Sequence, residues 1–186
     1  VLKFSFSTEF MEMFRVVIQL GAILAVVVLY FKKLWPFCAD NGRDSGFSRH
    51  FRWPVVRLWC KIIVSCVPAA VLGLLLDDWL DAHLYNSITV ALMLIIYGIA
   101  FIMIERRPRV PTTTKLSRIT YKQALIVGAW QVLALIPGTS RSGSTIIGGL
   151  LCGMSRPAAS QFTFFLAIPV MAGASGLKLV KFLAKG

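Results

Sequence analysis

Residues 137–145 have the sequence Pro-Gly-Thr-Ser-Arg-Ser-Gly-Ser-Thr and separate two short apolar runs, residues 121–136 and 146–154. Pro137 is expected to end the first run as a helix, because proline donates no backbone hydrogen bond and restricts the residue before it. A second helix is expected to begin at Ser142 or Gly143. The pattern therefore predicts a helix-loop-helix hairpin over residues 121–154, with a polar break between two half-helices.

The other apolar runs are long enough to cross a membrane. A spanning helix needs about 20 mostly apolar residues, and four stretches approach that length: residues 10–31, 58–76, 86–104 and 158–183. Hydrophobic residues form 57% of the 186-residue chain and charged residues 15%, against about 45–50% and about 25% in soluble proteins. We predict an all-α integral membrane protein, a polytopic helical bundle in which residues 1–186 form a single membrane domain.

The net charge of +12 indicates membrane topology rather than nucleic-acid binding, because most basic residues lie between apolar runs. Residues 32–57 contain six Lys or Arg, and residues 106–122 contain six more, which places both segments on the cytoplasmic side. Residues 77–81 hold three Asp and no Lys or Arg, which suits an outer loop. If Arg156 marks a further cytoplasmic turn, the hairpin enters the membrane from the cytoplasm and returns to it, which makes it re-entrant. The alternative is that residues 121–136 nearly cross the membrane, since this run is 16 residues long.

The polar break has the composition of a phosphate site. Non-helical backbone inside a membrane is tolerated only where protein buries it or water surrounds it. The first amides of the second half-helix favour an anion, and the arginine offers a planar fork for two phosphate oxygens. The candidate ligand groups are Gly138, Thr139, Ser140, Arg141, Ser142, Gly143, Ser144 and Thr145. Two alternatives stay open: small residues and hydroxyls that serve only helix packing, or an arginine that extends to the membrane interface.

Other polar residues of the apolar segments have simpler explanations. Gln19 and Gln131 are expected to form interhelical hydrogen bonds, with a role in lining a cavity as the alternative. Glu105 ends the third span beside Arg106 and Arg107, so we expect a solvated ion pair there. We identify no metal ligands in this chain from its sequence.

Four stretches resemble the undecaprenyl-diphosphate phosphatases, the bacitracin-resistance protein family. Residues 137–143, preceded by Tyr-Lys-Gln-Ala-Leu at 121–125 and Gln-Val-Leu-Ala-Leu-Ile at 131–136, resemble the second motif of that family. Residues 17–26 and 165–169 are similar to two of its other conserved stretches. The resemblance covers nearly the whole chain.

The resemblance implies a membrane hydrolase that converts undecaprenyl diphosphate to undecaprenyl phosphate and inorganic phosphate, recycling the lipid carrier of cell-wall synthesis and conferring bacitracin resistance. It also implies an inverted repeat with one re-entrant hairpin in each half and an active site that opens outward. The expected location is the bacterial inner (plasma) membrane, as a multi-pass protein. The expected partners are the polyprenyl diphosphate substrate and membrane lipid; a homo-oligomer stays open, and no nucleic acid is expected.

One family motif is absent from these residues. The first motif, of the type Glu-Gly-x-x-Glu-Phe-Leu-Pro-Val-Ser-Ser-Thr-Gly-His, does not occur, and Glu9 and Glu12 stand in a different context. We expect the chain to be an internal or truncated fragment that lacks the first hairpin and the final spans. The resemblance implies a divalent cation, magnesium or calcium, whose ligands would come from the missing motif.

By the same resemblance, Arg141, Ser140 and Ser142 take catalytic roles, and Gly138, Thr139, Gly143, Ser144 and Thr145 bind the diphosphate. The chain is therefore expected to supply half of an active site. The rival hypothesis is a polyprenyl-phosphate transporter or flippase that does not hydrolyse its lipid. A third hypothesis is a basic membrane-surface module that binds anionic lipids. It predicts that lipid binding is lost at high salt concentration.

Overall fold

The computed structural model describes residues 8–37, 52–106 and 110–183. This part of the chain is helical and contains no β-strand, and one isolated bridge joins Thr113 to Met154. Its α-helices are α1 (Thr8–Leu34), α2 (Trp53–Leu84), α3 (Ser87–Arg106), α4 (Tyr121–Val132), α5 (Arg141–Leu151) and α6 (Arg156–Leu183). Two 3-10 turns, Leu116–Arg118 and Leu133–Leu135, flank α4.

Helices α1, α2, α3 and α6 are long and apolar enough to cross a membrane, judged by length and composition. This finding confirms the predicted all-α membrane class. Residues 77–81 do not form the predicted loop but belong to the last turns of α2. Their location on the outer side of the membrane stays a prediction. The length of an apolar run indicates which part of a helix can lie in the hydrocarbon core of the membrane. The helix itself can continue beyond that run, because its end depends on backbone hydrogen bonding.

Two compact units make up the chain. In one, which combines residues 1–35 with residues 167–186, α1 exposes apolar side chains such as Val28 and Leu29, as a lipid-facing helix does. The other unit, residues 36–166, contains α2 to α5 and the first part of α6. It holds the polar break. One membrane domain over residues 1–186 stays a prediction.

The hairpin forms, with boundaries that differ from the predicted ones. Thr120 caps α4 through a reciprocal pair of hydrogen bonds with Gln123. Helix α4 ends at Val132, well before Pro137, because a 3-10 turn tightens the chain first. Helix α5 begins at Arg141, earlier than expected, because Ser140 acts as its N-cap: the Gly143 N–H donates to Ser140 Oγ at 3.2 Å.

Helices α2 and α4 lie in close contact. Ser65 Oγ of α2 donates to the carbonyl of Ala124 in α4 at 2.5 Å. A Cβ atom on Gly128 would lie only 2.4 Å from the Ser65 carbonyl oxygen and 2.9 Å from its Cα. Small residues let helix backbones approach closely in a membrane, where packing replaces the hydrophobic effect between helices. Gly128 therefore sets the distance between these two helices.

Backbone hydrogen bonds join the two ends of the hairpin to each other. The Thr113 N–H donates to the Gly153 carbonyl at 3.0 Å, and the Ser155 N–H donates to the Thr113 carbonyl at 2.8 Å. Gln123 Nε2 also donates to the Cys152 carbonyl at 3.0 Å. The segments before α4 and after α5 thus meet at one edge of the unit. This geometry favours the re-entrant arrangement, which stays a prediction.

We predict that Gly128→Ala destabilises the protein by about 1–3 kcal/mol, because the added methyl meets the rigid backbone of α2. Gly98→Ala is the matched control, since a Cβ there has no neighbour within 4 Å. Thermal unfolding in detergent measures both variants. A midpoint for Gly128→Ala equal to that of Gly98→Ala would contradict the close α2–α4 contact.

We also predict the sidedness of the hairpin. In a background without native cysteines, single cysteines at Thr114 and Pro157, both exposed, should react with an impermeant reagent from the cytoplasmic side only. A cysteine at the exposed Asn86, between α2 and α3, should react only from outside. Labelling of positions 114 and 157 from opposite sides would show that the hairpin crosses the membrane.

Candidate anion-binding site

Helix α5 packs against α4 through a glycine and a serine. A Cβ on Gly148 would lie 2.6 Å from Cγ of Trp130, so only glycine fits there. Ser144 is fully buried, and its Oγ donates to the carbonyl of Trp130. The two short helices therefore stay antiparallel and in contact, and the polar turn is the connection between them.

A second contact of α5 is with the first part of α6. Thr163 Oγ1 donates to Thr145 Oγ1 at 3.1 Å in a buried position. A Cβ on Gly149 would lie 2.9 Å from Cβ of Ala159. Small and hydroxyl-bearing residues thus form this contact as well.

The third contact is with α3, and it includes the turn itself. Gly138 has a φ of +89°, and a Cβ there would lie 2.6 Å from Cα of Val90. A Cβ on Gly143 would lie 3.1 Å from the ring of Phe101. The tip of the hairpin is therefore held against the first turns of α3, and only glycine combines this backbone angle with this space.

Four of the predicted ligand residues remain accessible at the tip. Ser140 and Ser142 are exposed, with their hydroxyl oxygens 3.3 Å apart, and Thr139 and Arg141 are half-buried. The structure thus brings together one guanidinium and three hydroxyl side chains at the N-terminus of α5. This arrangement suits an anion with several oxygen atoms.

The backbone donors of the site differ from those expected. The amides from Gly143 onward are engaged: Gly143 N–H bonds to Ser140 Oγ, and Ser144 N–H donates to the Ser140 carbonyl at 2.8 Å. The amides of Arg141 and Ser142 precede the first intrahelical bonds. They are the N–H groups that an anion at this helix end can use.

Gly143, Ser144 and Thr145 are buried on the packed side of α5. The Thr145 hydroxyl donates to the Arg141 carbonyl at 2.9 Å and accepts a hydrogen bond from Thr163. The Ser144 hydroxyl bonds to Trp130. Their assignment as diphosphate ligands stays a prediction, but the contacts give both hydroxyls a packing role.

Some buried polar atoms have no hydrogen-bond partner among the described residues. They include Thr139 Oγ1 at the tip, both side-chain amide atoms of Gln131, and the hydroxyl of Tyr97 on α3. The expected interhelical bond of Gln131 is therefore absent from this part of the chain. Tyr97 is not among the residues that the sequence predicts, although a lone phenol within an apolar span is a recognisable signal.

Glu105 forms an ion pair, but not with the expected partners. Arg156 Nε donates to Glu105 Oε1 at 2.8 Å, and Arg156 Nη2 contacts the other carboxylate oxygen. The pair is exposed. The return of the chain from α5 brings the start of α6 beside the end of α3, a proximity that sequence distance does not reveal.

No cluster of three or more His, Cys, Asp or Glu side chains that could hold a metal ion occurs in residues 8–37, 52–106 and 110–183. The described residues therefore do not by themselves form a site for the divalent cation that the resemblance implies, whose ligands are expected from the missing motif. What the site offers is cationic and hydroxyl chemistry.

The fold and the site define a class: a multi-pass helical membrane protein with an arginine- and hydroxyl-rich turn at the tip of a short hairpin. The chain belongs to the bacitracin resistance protein BacA family, whose model matches residues 1–186. This match confirms the resemblance found in the sequence.

Curated relatives agree with the family assignment. An undecaprenyl-diphosphatase of Enterococcus faecalis is 60% identical over 187 residues, covering 100% of this chain and 66% of that protein. Relatives of the same name from Desulfitobacterium hafniense and Streptococcus sanguinis are 58% and 55% identical, each covering 97% of this chain and 64% and 62% of the relative. The chain spans just under two thirds of the length of these relatives.

We predict that Ser144→Ala affects stability alone and that Ser142→Ala affects ligand binding alone. Ser144→Ala should lower stability by about 1 kcal/mol by removing the bond to Trp130, and leave pyrophosphate affinity unchanged. Ser142→Ala should weaken pyrophosphate binding and leave stability unchanged, because its side chain is exposed at the tip. Thermal unfolding with and without pyrophosphate measures both. If Ser144→Ala lost pyrophosphate affinity and Ser142→Ala kept it, Ser144 would be the ligand residue and Ser142 would not.

Proposed function

We propose that this chain forms part of an enzyme that hydrolyses undecaprenyl diphosphate to undecaprenyl phosphate and inorganic phosphate. One observation carries the proposal: residues 140–142 present two hydroxyls, one guanidinium and two amides at the N-terminus of α5, within an otherwise apolar helical unit. The name of the relatives, undecaprenyl-diphosphatase, supports this substrate. Recycling of the lipid carrier and bacitracin resistance follow from the same activity.

In this proposal, Arg141 binds two oxygens of the diphosphate and stabilises the negative charge that develops on the transferred phosphoryl group. Phosphoryl transfer depends mainly on positioning and electrostatics. Ser140 and Ser142 donate hydrogen bonds from their hydroxyls, and the amides of Arg141 and Ser142 add the positive end of the α5 dipole. Gly138 lets the backbone of the turn lie close to Val90 of α3.

The depth of the turn supports a lipid-linked substrate. The turn contacts Val90, and the base of the hairpin lies near Glu105, so about 15 residues, or about 22 Å of α3, separate the two ends. The hydrocarbon core is about 30 Å thick. With the base at the cytoplasmic boundary, a headgroup at the turn would lie inside the hydrocarbon core, about 8 Å from its outer boundary. We accordingly propose a multi-pass protein of the bacterial inner membrane.

Two further assignments remain part of the proposal. A magnesium or calcium ion would need ligands from outside the described residues, so no step of the mechanism is derived through a metal. The partners are the polyprenyl diphosphate and membrane lipid, and homo-oligomerisation stays a prediction.

We predict that Arg141→Ala lowers phosphate release from undecaprenyl diphosphate by about 10²–10³-fold, because one preorganised charged donor is lost. Arg141→Lys should recover only part of the rate, since lysine keeps the charge but not the two-pronged geometry. The measurement uses a chimera in which this chain replaces the matching segment of the Enterococcus faecalis relative, so that the rest of the site is present.

Lys115→Ala is a suitable control, because Lys115 is an exposed basic residue of the segment before α4, at the base of the hairpin rather than its tip. Near-normal turnover in Arg141→Ala would contradict the proposed role of Arg141. Movement of labelled lipid without phosphate release would favour the transporter hypothesis.

A further inference from the structure

Tyr97 is a buried polar residue on a helix that is otherwise mostly exposed. The side chain of Tyr97 is 8% exposed, and it is the buried residue of α3. Neighbours such as Ile95, Ile96 and Ile99 are more than half exposed. The burial of Tyr97 therefore comes from an element packed on one side of α3.

That element is the tip of the hairpin together with α5. Val90 contacts the turn at Gly138, and Phe101 contacts α5 at Gly143. Val90, Tyr97 and Phe101 share one face of α3, because they recur at the i, i+7 and i+11 positions. Tyr97 thus lies between the two contacts, and helical side chains tilt towards the helix N-terminus, which here is the direction of the turn.

The hydroxyl of Tyr97 has no hydrogen-bond partner among the described residues, although it is buried. Buried polar groups are almost always hydrogen-bonded, so an orphan hydroxyl calls for a specific explanation. Thr139 Oγ1, at the tip of the hairpin, is a second buried hydroxyl for which the described residues provide no partner. Within the described part of the chain, two buried hydroxyls therefore lack a partner, one at the tip of the hairpin and one on the face of α3 that the hairpin contacts.

We propose that Tyr97 is a further ligand-binding residue of the anion site, whose hydroxyl donates a hydrogen bond to a phosphate oxygen bound at the N-terminus of α5. The inference rests on the proposed function, because the ligand is the diphosphate group. It adds a donor from α3 to a site otherwise built from the hairpin alone. A phenol is neutral, so it adds a hydrogen bond without adding charge, and its rigid ring fixes the direction of that bond.

Tyr97→Phe tests this role because it removes the hydroxyl and keeps the ring. The probe is inorganic pyrophosphate, whose binding to the purified chimera, in which the rest of the site is present, is followed by the shift that it causes in the thermal unfolding midpoint. Hydrogen bonds to charged acceptors are the stronger kind, so we expect binding to weaken by about 10-fold. Without pyrophosphate the midpoint should stay the same or rise, because the hydroxyl that is lost has no partner.

Tyr85→Phe is the matched control, since Tyr85 is exposed at the end of α2 and loses the same atom. In the chimera, Tyr97→Phe should raise the KM for undecaprenyl diphosphate and change kcat less. Pyrophosphate affinity within twofold of the unsubstituted chimera would overturn the proposal. So would a lowered midpoint without pyrophosphate combined with unchanged affinity, which indicates a packing role only.

Arg141→Ala in the same series separates this proposal from the proposed function. If Arg141→Ala loses pyrophosphate binding while Tyr97→Phe keeps it, only the role of Tyr97 is refuted. If the unsubstituted chimera does not bind pyrophosphate, or binds it equally well after Arg141→Ala, the anion site itself is refuted, and the role of Tyr97 falls with it.

Discussion

Close packing around the glycines of α5 is the constraint on which the rest of the hairpin depends. Three elements contact this short helix, and each contact uses residues whose side chains are small: Gly148 at Trp130, Gly149 at Ala159, and Gly143 at Phe101. In a membrane, such packing and buried hydroxyl bonds replace the hydrophobic effect as the source of helix association. A larger side chain at any of these positions would push α5 away from its neighbours.

The same constraint divides the residues of the polar stretch into two groups. The packed face of α5 takes Ser144 and Thr145, and their hydroxyls bond to Trp130 and Thr163. The side chains of Ser140, Arg141 and Ser142, at the start of the helix, lie off that face and stay accessible. One stretch of sequence thus serves packing in its second half and ligand binding in its first half.

The helix termini complete the chemistry of the site. Ser140 caps α5 through Gly143, which leaves the amides of Arg141 and Ser142 for a ligand. Hydrogen bonds between the two ends of the hairpin hold its base together. The glycine at position 138 lets the tip lie against α3. The base and the tip are therefore both fixed, and the donors between them are held in place before any ligand binds.

The sequence by itself determined the membrane class, the hairpin and the family, because these depend on the lengths of apolar runs and on one local motif. It also located Arg141 and its neighbouring hydroxyls, since glycine, proline and serine act on the backbone within a few residues. It did not determine which hydroxyls face the packed side of α5, that Glu105 pairs with Arg156, or that Tyr97 lies between Val90 and Phe101 on the face of α3 towards the hairpin. Only the tertiary structure decided these, because each depends on contacts between segments that are distant in sequence, and a one-dimensional pattern carries no distance between them.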